Sequence, residues 1–243
     1  MPPPASITAL ADARVLVVGL GGLGAPAAAT LADAGVKMLG LIDPDHIERS
    51  NLPRQPLYDD ADVGRLKVDA ARERLRAGRG DLVVETWAER FDAGNAALAA
   101  EFDVVLDGTD SIATKFLLSD TACRRGVPLV HAGALGFRAQ VLTILPGETA
   151  CYRCIFEEPP PPDDLPSCQE AGVMGPSVNL AGTLQAADAL RLLTGERPAF
   201  AGRLLTIDTR AGTWRSVPVS RYPGCSACAR IADDAAFGRS CMP

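Results

Sequence analysis

The most constraining feature of the sequence is a strand–turn–helix–strand pattern over residues 15–43. The apolar run at 15–18 predicts a buried parallel strand, and a second apolar run at 36–42 leads directly to Asp43. In nucleotide-binding βαβ units the turn backbone approaches a polyphosphate, the helix N-terminus supplies unpaired N–H groups, and a carboxylate about 20 residues on holds a ribose. The stretch therefore predicts a nucleotide site, although a tight turn without a ligand fits the same spacing. The G-x-G-x-x-G glycines are Gly19, Gly21 and Gly24.

Composition restricts the class of protein. A chain of 243 residues is long enough for one large domain or two small ones with a proper core. The net charge of −6 argues against nucleic acid or an anionic membrane as a partner, and no apolar run approaches the length of a membrane span. The first residues lack the basic and apolar regions of a signal peptide. We therefore expect a cytoplasmic protein, in which cysteines are reduced.

The rest of the chain predicts a Rossmann-like, doubly wound α/β fold. Further strands are predicted at 82–85, 103–107 and 127–131, separated by helices at about 62–76, 93–100 and 111–125, which favours a mainly parallel sheet with helices on both faces. Antiparallel strands are then predicted at 137–145, 204–207 and 213–219, with a helix at 176–193 and a mobile, proline-rich acidic loop at 157–166. Ligands bind beyond the carboxyl ends of parallel strands, so the glycine turn, Asp43 and Asp110 should share one rim.

Two C-x-x-C pairs about seventy residues apart form the second strong signal. Four thiolates suit a closed, tetrahedral structural zinc site, which would pin the C-terminal segment against the turn at 146–155. A redox disulfide is the alternative. Cys123 falls in a predicted helix and is expected in the core, and Cys168, after the acidic loop, fits either an exposed nucleophile or a packed thiol. The paired cysteines are Cys151, Cys154, Cys225 and Cys228.

The glycine turn and Asp43 describe an NAD-dependent dehydrogenase equally well, but three features favour a nucleoside triphosphate. Arg54 and Lys67 are cations placed where a polyphosphate extending past the turn would need neutralisation. Asp110, at the end of the fourth strand, is placed to hold Mg²⁺ between phosphates. Zinc cysteines have no role in hydride transfer.

An ordered set of motifs extends over about residues 14–228. They are VGLGGLG (18–24), DPD (43–45), SNLPRQ (50–55), GRLK (64–67), LDGTD (106–110), CYRC (151–154), CQEAGV (168–173) and PGCSAC (223–228). At these residues the chain resembles the MoeB/ThiF/HesA family, bacterial relatives of ubiquitin-activating enzymes. The ordered set is far more specific than any one motif.

The resemblance implies ATP-dependent adenylation of the C-terminal glycine of a small ubiquitin-like sulfur carrier ending in Gly-Gly, with release of pyrophosphate. It implies the cofactors ATP, Mg²⁺ and Zn²⁺, and a homodimer. It also implies one domain over 1–243, with a nucleotide-binding half at 14–131, a carrier-facing half at 132–228 and a tail at 229–243.

The resemblance further assigns residues. Gly22 is expected against the phosphates and Asp43 on the ribose; Asn51, Arg54 and Lys67 hold and neutralise the triphosphate, and Asp110 binds Mg²⁺. The catalytic set is Arg54, Lys67, Asp110 and, as a possible covalent site for the carrier, Cys168. The four paired cysteines bind zinc. The nucleotide-binding set is completed by Gly19, Gly21, Gly24, Asp45, Ser50, Gln55 and Ser111.

Two features depart from the family pattern. Residues 1–13 contain no arginine, whereas family members carry an N-terminal helix that supplies one to the neighbouring subunit. Ser111 stands where asparagine is common, so we expect a weaker adenine-side contact. These departures leave a second hypothesis, a catalytically weakened carrier-binding or heteromeric subunit of the same fold.

Overall fold

The computed structural model describes residues 10–159 and 172–229, and its strands form one sheet. The strands are β1 (Arg14–Val18), β2 (Met38–Ile42), β3 (Val83–Trp87), β4 (Val104–Asp107), β5 (Leu129–Leu135), β6 (Arg138–Ile144), β7 (Arg203–Asp208) and β8 (Thr213–Pro218). Their order is β3-β2-β1-β4-β5-β6-β7-β8, with β1 to β5 parallel and β6 to β8 antiparallel. The predicted Rossmann-like, mainly parallel sheet with added antiparallel strands is confirmed.

Helices connect or flank these strands. They are α1 (Gly24–Ala34), α2 (Lys67–Ala77), α3 (Ile112–Arg125), α4 (Arg153–Phe156) and α5 (Gly175–Leu193), with 3-10 turns at Arg49–Arg54, Asp60–Asp62 and Ala96–Glu101. Gly35 and Gly126 follow α1 and α3 in the left-handed conformation, where their N–H groups bond to the last carbonyls of each helix. Among the described residues, no helix is long and apolar enough to span a bilayer.

Two apolar cores cover the two faces of the sheet. One packs α1, α2 and α5 against the central strands, and the other packs α3 and the paired cysteines against the opposite face. All five residues of β2 are buried, as expected for a strand covered on both sides. Because both faces of the sheet are covered, a ligand can reach the sheet near β1 at the ends of the strands.

Three predictions about local structure are wrong. The helix predicted from 62 begins at Lys67, because Gly64 has φ of +88° and Asp59–Asp62 form a separate capped turn. Consequently Val63, which the predicted helix would turn toward the core, is 38% exposed. The helix predicted at 93–100 is a 3-10 turn over Ala96–Glu101. The acidic loop from 160 onward and Cys168 lie outside the described residues.

The loops after β1 and β4 meet where the winding of the sheet reverses. The Gly19 N–H donates to Ile42 O at 2.8 Å, and the Gly108 N–H donates to Val18 O at 2.8 Å. A Cβ on Gly24 would lie 1.8 Å from Gly19 O, and one on Gly108 would lie 2.8 Å from Gly24 Cα. The backbones cross here only because these positions carry no side chain. Open α/β sheets bind ligands at such a reversal.

Candidate nucleotide site and metal centre

A cleft of about 1810 Å³ opens at the carboxyl ends of β1, β2 and β4 and continues along β6 to β8. Gly21, Lys67 and Asp110 line one end, and Arg138 and Arg215 line the other. The structure thus brings the predicted rim together. Of the residues predicted for the nucleotide, Gly24 and Ser50 are not among those lining the cleft; the lining ones are Gly19, Gly21, Gly22, Asp43, Asp45, Asn51, Arg54, Gln55, Lys67, Asp110 and Ser111.

The glycines of the turn have different local reasons to be glycine. Gly19 has φ of +87° and abuts Gly108, and a Cβ on Gly22 would lie 2.7 Å from Val178 Cγ2 on α5. At Gly21 the nearest atom, Gln55 Nε2, is 3.8 Å away, so this position faces open space. No side chain caps the start of α1 and its first turn holds no acidic residue, which leaves the positive end of the helix dipole facing the turn. Gly21 is where an anion can approach the backbone.

Asp43 ties the glycine turn to the end of β2. It is buried, its Oδ2 accepts the Leu20 N–H at 2.6 Å, and its Oδ1 accepts the Asp45 N–H at 2.9 Å. Burial raises the pKa of this carboxyl, while Lys67 and the two N–H donors oppose that rise. The carboxylate is therefore fixed in place, with lone pairs left to accept from a ligand hydroxyl.

Lys67 begins α2 on the floor of the cleft. Only 6% of the residue is exposed, yet its Nζ lies 2.8 Å from Asp45 Oδ2 and 3.7 Å from Asp43 Oδ1. The Asp45 side chain is 61% exposed, so a mostly hydrated carboxylate balances a buried ammonium group. Asp45, predicted to bind the nucleotide, acts in this structure as a counter-ion of Lys67.

The 3-10 turn over Arg49–Arg54 carries polar groups to the same edge. Arg54 Nη1 donates to Ser50 O at 2.9 Å, and within the described residues no carboxylate lies within ion-pair distance of its guanidinium. Ser50 accepts the Asn51 amide at 3.2 Å and donates to Glu48 at 3.0 Å, so it orients its neighbours. Gln55 is buried, and its Oε1 has no hydrogen-bond partner in the described part of the chain. The turn thus presents an available cation and an unused acceptor.

Asp110 lies in the loop between β4 and α3, exposed at the cleft. The next residue, Ser111, is the N-cap of α3 and accepts the Thr114 N–H at 3.3 Å. The predicted adenine-side contact of Ser111 therefore competes with a cap. An apolar wall nearby, suited to a base, is formed by Val18, Ile42, Phe91 and Ile112.

A buried polar network, which the sequence did not predict, lies behind this loop. Asp107, at the end of β4, is fully buried and lies 3.2 Å from Lys115 Nζ and 2.7 Å from His131 Nδ1. Burial acts to raise the pKa of Asp107, but Lys115 and His131 outweigh it and lower that pKa to about 2. Burial and Lys115 lower the pKa of His131, with Asp107 opposing, so the imidazole is neutral. The sequence places Asp107 and His131 at the ends of two predicted strands, but it does not show that they meet each other and Lys115.

The paired cysteines converge into one cluster whose sulfurs all lie within 4.8 Å of one another. Cys151 Sγ lies 3.7 Å from that of Cys154 and 3.5 Å from that of Cys225, and Cys154 and Cys228 are 3.5 Å apart. Four sulfurs bound tetrahedrally at 2.3 Å stand about 3.8 Å apart, and a disulfide would need about 2.05 Å. The spacing fits a metal. Four thiolates in this mostly buried site would need a cation to balance their charge.

Cys225 differs from the other three cysteines of the cluster, whose pKa values are raised. Burial opposes ionisation, but the N–H groups of Cys228 and Ala227 outweigh it and lower the pKa of Cys225 to about 7. Cys123, as expected, is a buried core residue; its thiol contacts Cys151 and raises the pKa of that ligand.

Comparisons with known proteins extend the resemblance found in the motifs. The model of the ThiF family matches residues 3–227. The SAMP-activating enzyme E1 of Haloferax volcanii is 41% identical over 220 residues, covering 90% of this chain and 81% of that protein. The sulfur carrier protein adenylyltransferase of Thermus thermophilus is 41% identical over 225 residues, covering 90% and 83%.

Two further matches bear on length and fold. The bovine (Bos taurus) adenylyltransferase and sulfurtransferase MOCS3 is 42% identical over 221 residues, but this chain spans only 49% of its length. The crystal structure of E. coli MccB with ATP superposes with a TM-score of 0.80 at 25% identity, over 92% of this chain and 69% of that one.

Proposed function

This chain belongs to the ThiF family, and we propose that it is an ATP-dependent adenylyltransferase of a small ubiquitin-like sulfur-carrier protein. In the reaction, an oxygen of the carrier's C-terminal carboxylate attacks the α-phosphorus, the bond to the β-phosphate oxygen breaks, and pyrophosphate leaves. The product is an acyl adenylate. The observation that carries the proposal is the convergence of Asp43, Arg54, Lys67 and Asp110 on one cleft at the reversal of the sheet. The names of the relatives support the same chemistry.

The nucleotide binds across the carboxyl ends of β1 and β2. Asp43 accepts from the ribose hydroxyls, and the apolar wall that contains Phe91 packs against the base. Gly21 and the start of α1 receive the phosphates, because this is the open position of the turn.

Two cations of different kinds neutralise the charge on the phosphates. Arg54 presents a fork without a carboxylate partner among the described residues, while Lys67 supplies a compact ammonium group from the floor. Asn51, oriented by Ser50, adds a neutral donor. In-line displacement at phosphorus needs positioning and charge neutralisation rather than a covalent protein intermediate.

Asp110 is the residue that would hold Mg²⁺. Its carboxylate is exposed at the cleft, and a hard oxygen donor shared with phosphate oxygens is the environment that this ion prefers. When bound, Mg²⁺ neutralises charge on the leaving pyrophosphate. Asp110 itself serves to orient the triphosphate relative to Arg54 and Lys67.

The second half of the cleft receives the carrier. Gln140 and the cations Arg138 and Arg215 lie on β6 and β8 at the end away from Lys67, so an extended tail laid along them would point its carboxylate at the triphosphate. We further propose one domain with these two halves, a homodimer, and zinc as the metal of the four-cysteine cluster. The cluster has no open position and is structural. A covalent role for Cys168 stays a prediction.

The test is carrier-dependent exchange between ATP and labelled pyrophosphate. Lys67→Met and Arg54→Ala should each lower the rate by about 10²-fold or more, since each removes a charge aimed at the phosphates. Lys37→Met is the matched control, because Lys37 lies at the opposite end of β2, where its exposed Nζ donates to Asp81 O at 3.3 Å. Each ubiquitin-like protein ending in Gly-Gly from the source organism serves as substrate, with its form lacking the last glycine as control. Normal exchange in both cleft variants would refute the proposal.

A thermal-shift comparison separates the remaining alternatives. Stabilisation by ATP with Mg²⁺ but not by NAD is expected of the proposed enzyme. Binding of the carrier without binding of ATP would favour a carrier-binding subunit. Stabilisation by NAD alone would favour a dehydrogenase.

A further inference from the structure

Asp107 makes more contacts than any ligand-facing carboxylate of the site. Its Oδ1 accepts from the N–H of Thr109 at 3.0 Å and from the Thr109 hydroxyl at 2.8 Å, and Lys115 Nζ lies 3.3 and 3.2 Å from its two oxygens. His131 Nδ1 lies 2.7 Å from Oδ2. A carboxylate with no solvent exposure stays charged only with this degree of compensation.

Neither charged member of this network is available to a substrate. Lys115 lines the cleft but is buried, and its third contact is the carbonyl of Ala132 at 2.7 Å, so its three N–H donors face three protein acceptors. Asp107 faces away from the open space. The network is therefore unsuited to direct chemistry and suited to holding a backbone.

The backbone that it holds is the loop at 108–111. Thr109, bonded twice to Asp107, immediately precedes Asp110, and Gly108 is fixed on the other side by its N–H bond to Val18 O at 2.8 Å. Ser111 closes the loop as the cap of α3. Within the described residues, no hydrogen bond or ion pair restrains the Asp110 side chain itself. The loop backbone therefore fixes where the side chain of Asp110 is attached and the direction of its Cα–Cβ bond.

We propose that Asp107, Lys115 and His131 are positioning residues that act through Thr109 to point Asp110 into the cleft. The inference rests on the proposed function, in which Asp110 holds the metal of the nucleotide. It assigns a role to a buried lysine and histidine that the reaction itself does not use. His131 also reaches the carrier half of the cleft, since its Nε2 lies 3.4 Å from Gln140 Nε2.

The test compares Thr109→Val with Thr30→Val. Both remove a threonine hydroxyl that donates at 2.8 Å, to Asp107 in one case and to Pro26 O within α1 in the other. Thr109→Ser keeps the hydroxyl, His131→Leu removes the donor to Asp107, and His131→Asn replaces that donor with an amide. The proteins are full-length chains as purified.

Two measurements are made on each variant. Hydrogen–deuterium exchange at 108–111 should become at least about 10-fold faster in Thr109→Val and His131→Leu, because one bond to a charged acceptor is lost, and should be unchanged in Thr30→Val. The Mg²⁺ concentration that half-saturates pyrophosphate exchange should rise by a similar factor, whereas the KM for ATP at saturating Mg²⁺ changes little. The conservative variants should restore both.

Each outcome decides the question. Wild-type values of both quantities in Thr109→Val and His131→Leu would overturn the proposal, as would faster loop exchange with unchanged Mg²⁺ dependence. A lowered melting temperature alone would indicate a purely structural network. Failure of the wild-type protein to exchange pyrophosphate at any Mg²⁺ concentration would refute the proposed function, and the deuterium measurement would then still decide whether the network fixes the loop.

Discussion

Replacing His131 with asparagine should remove a pH-dependent loss of stability from the wild-type protein. The imidazole is 1% exposed, its Nδ1 lies 2.7 Å from Asp107 Oδ2, and its Nε2 faces the amide of Gln140. Burial and Lys115 lower its pKa, and Asp107 opposes them. The neutral ring therefore donates from Nδ1 to Asp107 and accepts from Gln140 at Nε2. Its contact with Asp107 is a hydrogen bond to a carboxylate rather than an ion pair.

The direction in which stability changes with pH follows from proton linkage. In the unfolded chain a histidine has a pKa of about 6.5, so below that pH the unfolded state binds a proton that the folded state excludes. The free energy of unfolding then falls as pH falls, with a slope that approaches about 1.4 kcal/mol per pH unit. The largest possible effect belongs to a ring that binds no proton in the folded state over this range; the free energy of unfolding then falls by about 2 kcal/mol between pH 7.5 and pH 5. Asparagine can keep a donor toward Asp107 and does not titrate.

The assay is urea unfolding of both proteins at several pH values between 5 and 7.5. The free energy of unfolding of wild type minus that of His131→Asn should fall over this range, by up to about 2 kcal/mol, because titrating groups distant from His131 contribute equally to both proteins. His46→Gln, which alters the exposed histidine of the chain's two, is the control. A difference that is constant with pH would show that His131 takes up a proton in the folded state and would refute the assigned hydrogen-bond pattern.

Two further predictions concern the turn and the cysteines. Gly24→Ala should prevent stable folding, because its Cβ would lie 1.8 Å from Gly19 O, whereas Gly21→Ala should keep the melting temperature and weaken ATP binding; equal loss of stability in both would contradict the division of roles. Cys225→Ser or a strong chelator should lower the melting temperature by roughly 5 °C or more, while binding of ATP to the remaining folded protein persists. Elemental analysis should find one zinc per chain, and a metal-free wild type of full stability would refute the structural site.

The sequence predicted the elements whose signals are local. Apolar runs bounded by glycine located β1 and β2, and the glycines after α1 and α3 marked where those helices end. The same periodicity misled at 62–66, where apolar spacing continues through Gly64 although the backbone there adopts φ of +88°. Spacing detects which face a side chain would occupy in a helix and is insensitive to a single residue that cannot adopt the helical conformation.

Contacts between residues far apart in the sequence cannot be predicted from local patterns. The glycine motif predicts that the turn backbone approaches a phosphate. It does not predict the close contact of Gly19 and Gly24 with Gly108, which lies in a loop more than eighty residues away. The pairing of Asp107 with His131 depends on β4 and β5 being neighbours in the sheet. A pattern of polar and apolar residues does not show which partner makes the burial of a charged group such as Asp107 tolerable.

Two buried lysines at the same edge of the sheet differ in whether their surroundings leave them free to bind a ligand. Lys115 has three buried or backbone acceptors for its three N–H groups, so no donor is left for a ligand. Lys67 is equally buried, but among the described residues its Nζ has one acceptor within hydrogen-bond distance, Asp45, whose side chain is largely in water. Exchange of that hydrated carboxylate for a phosphate exposes no buried charge, and two donors of Lys67 remain to be used. The same exchange at Lys115 would leave Asp107 charged and unpaired at zero exposure. This contrast supports the proposal that Lys67 meets the phosphates and that Lys115 supports the loop.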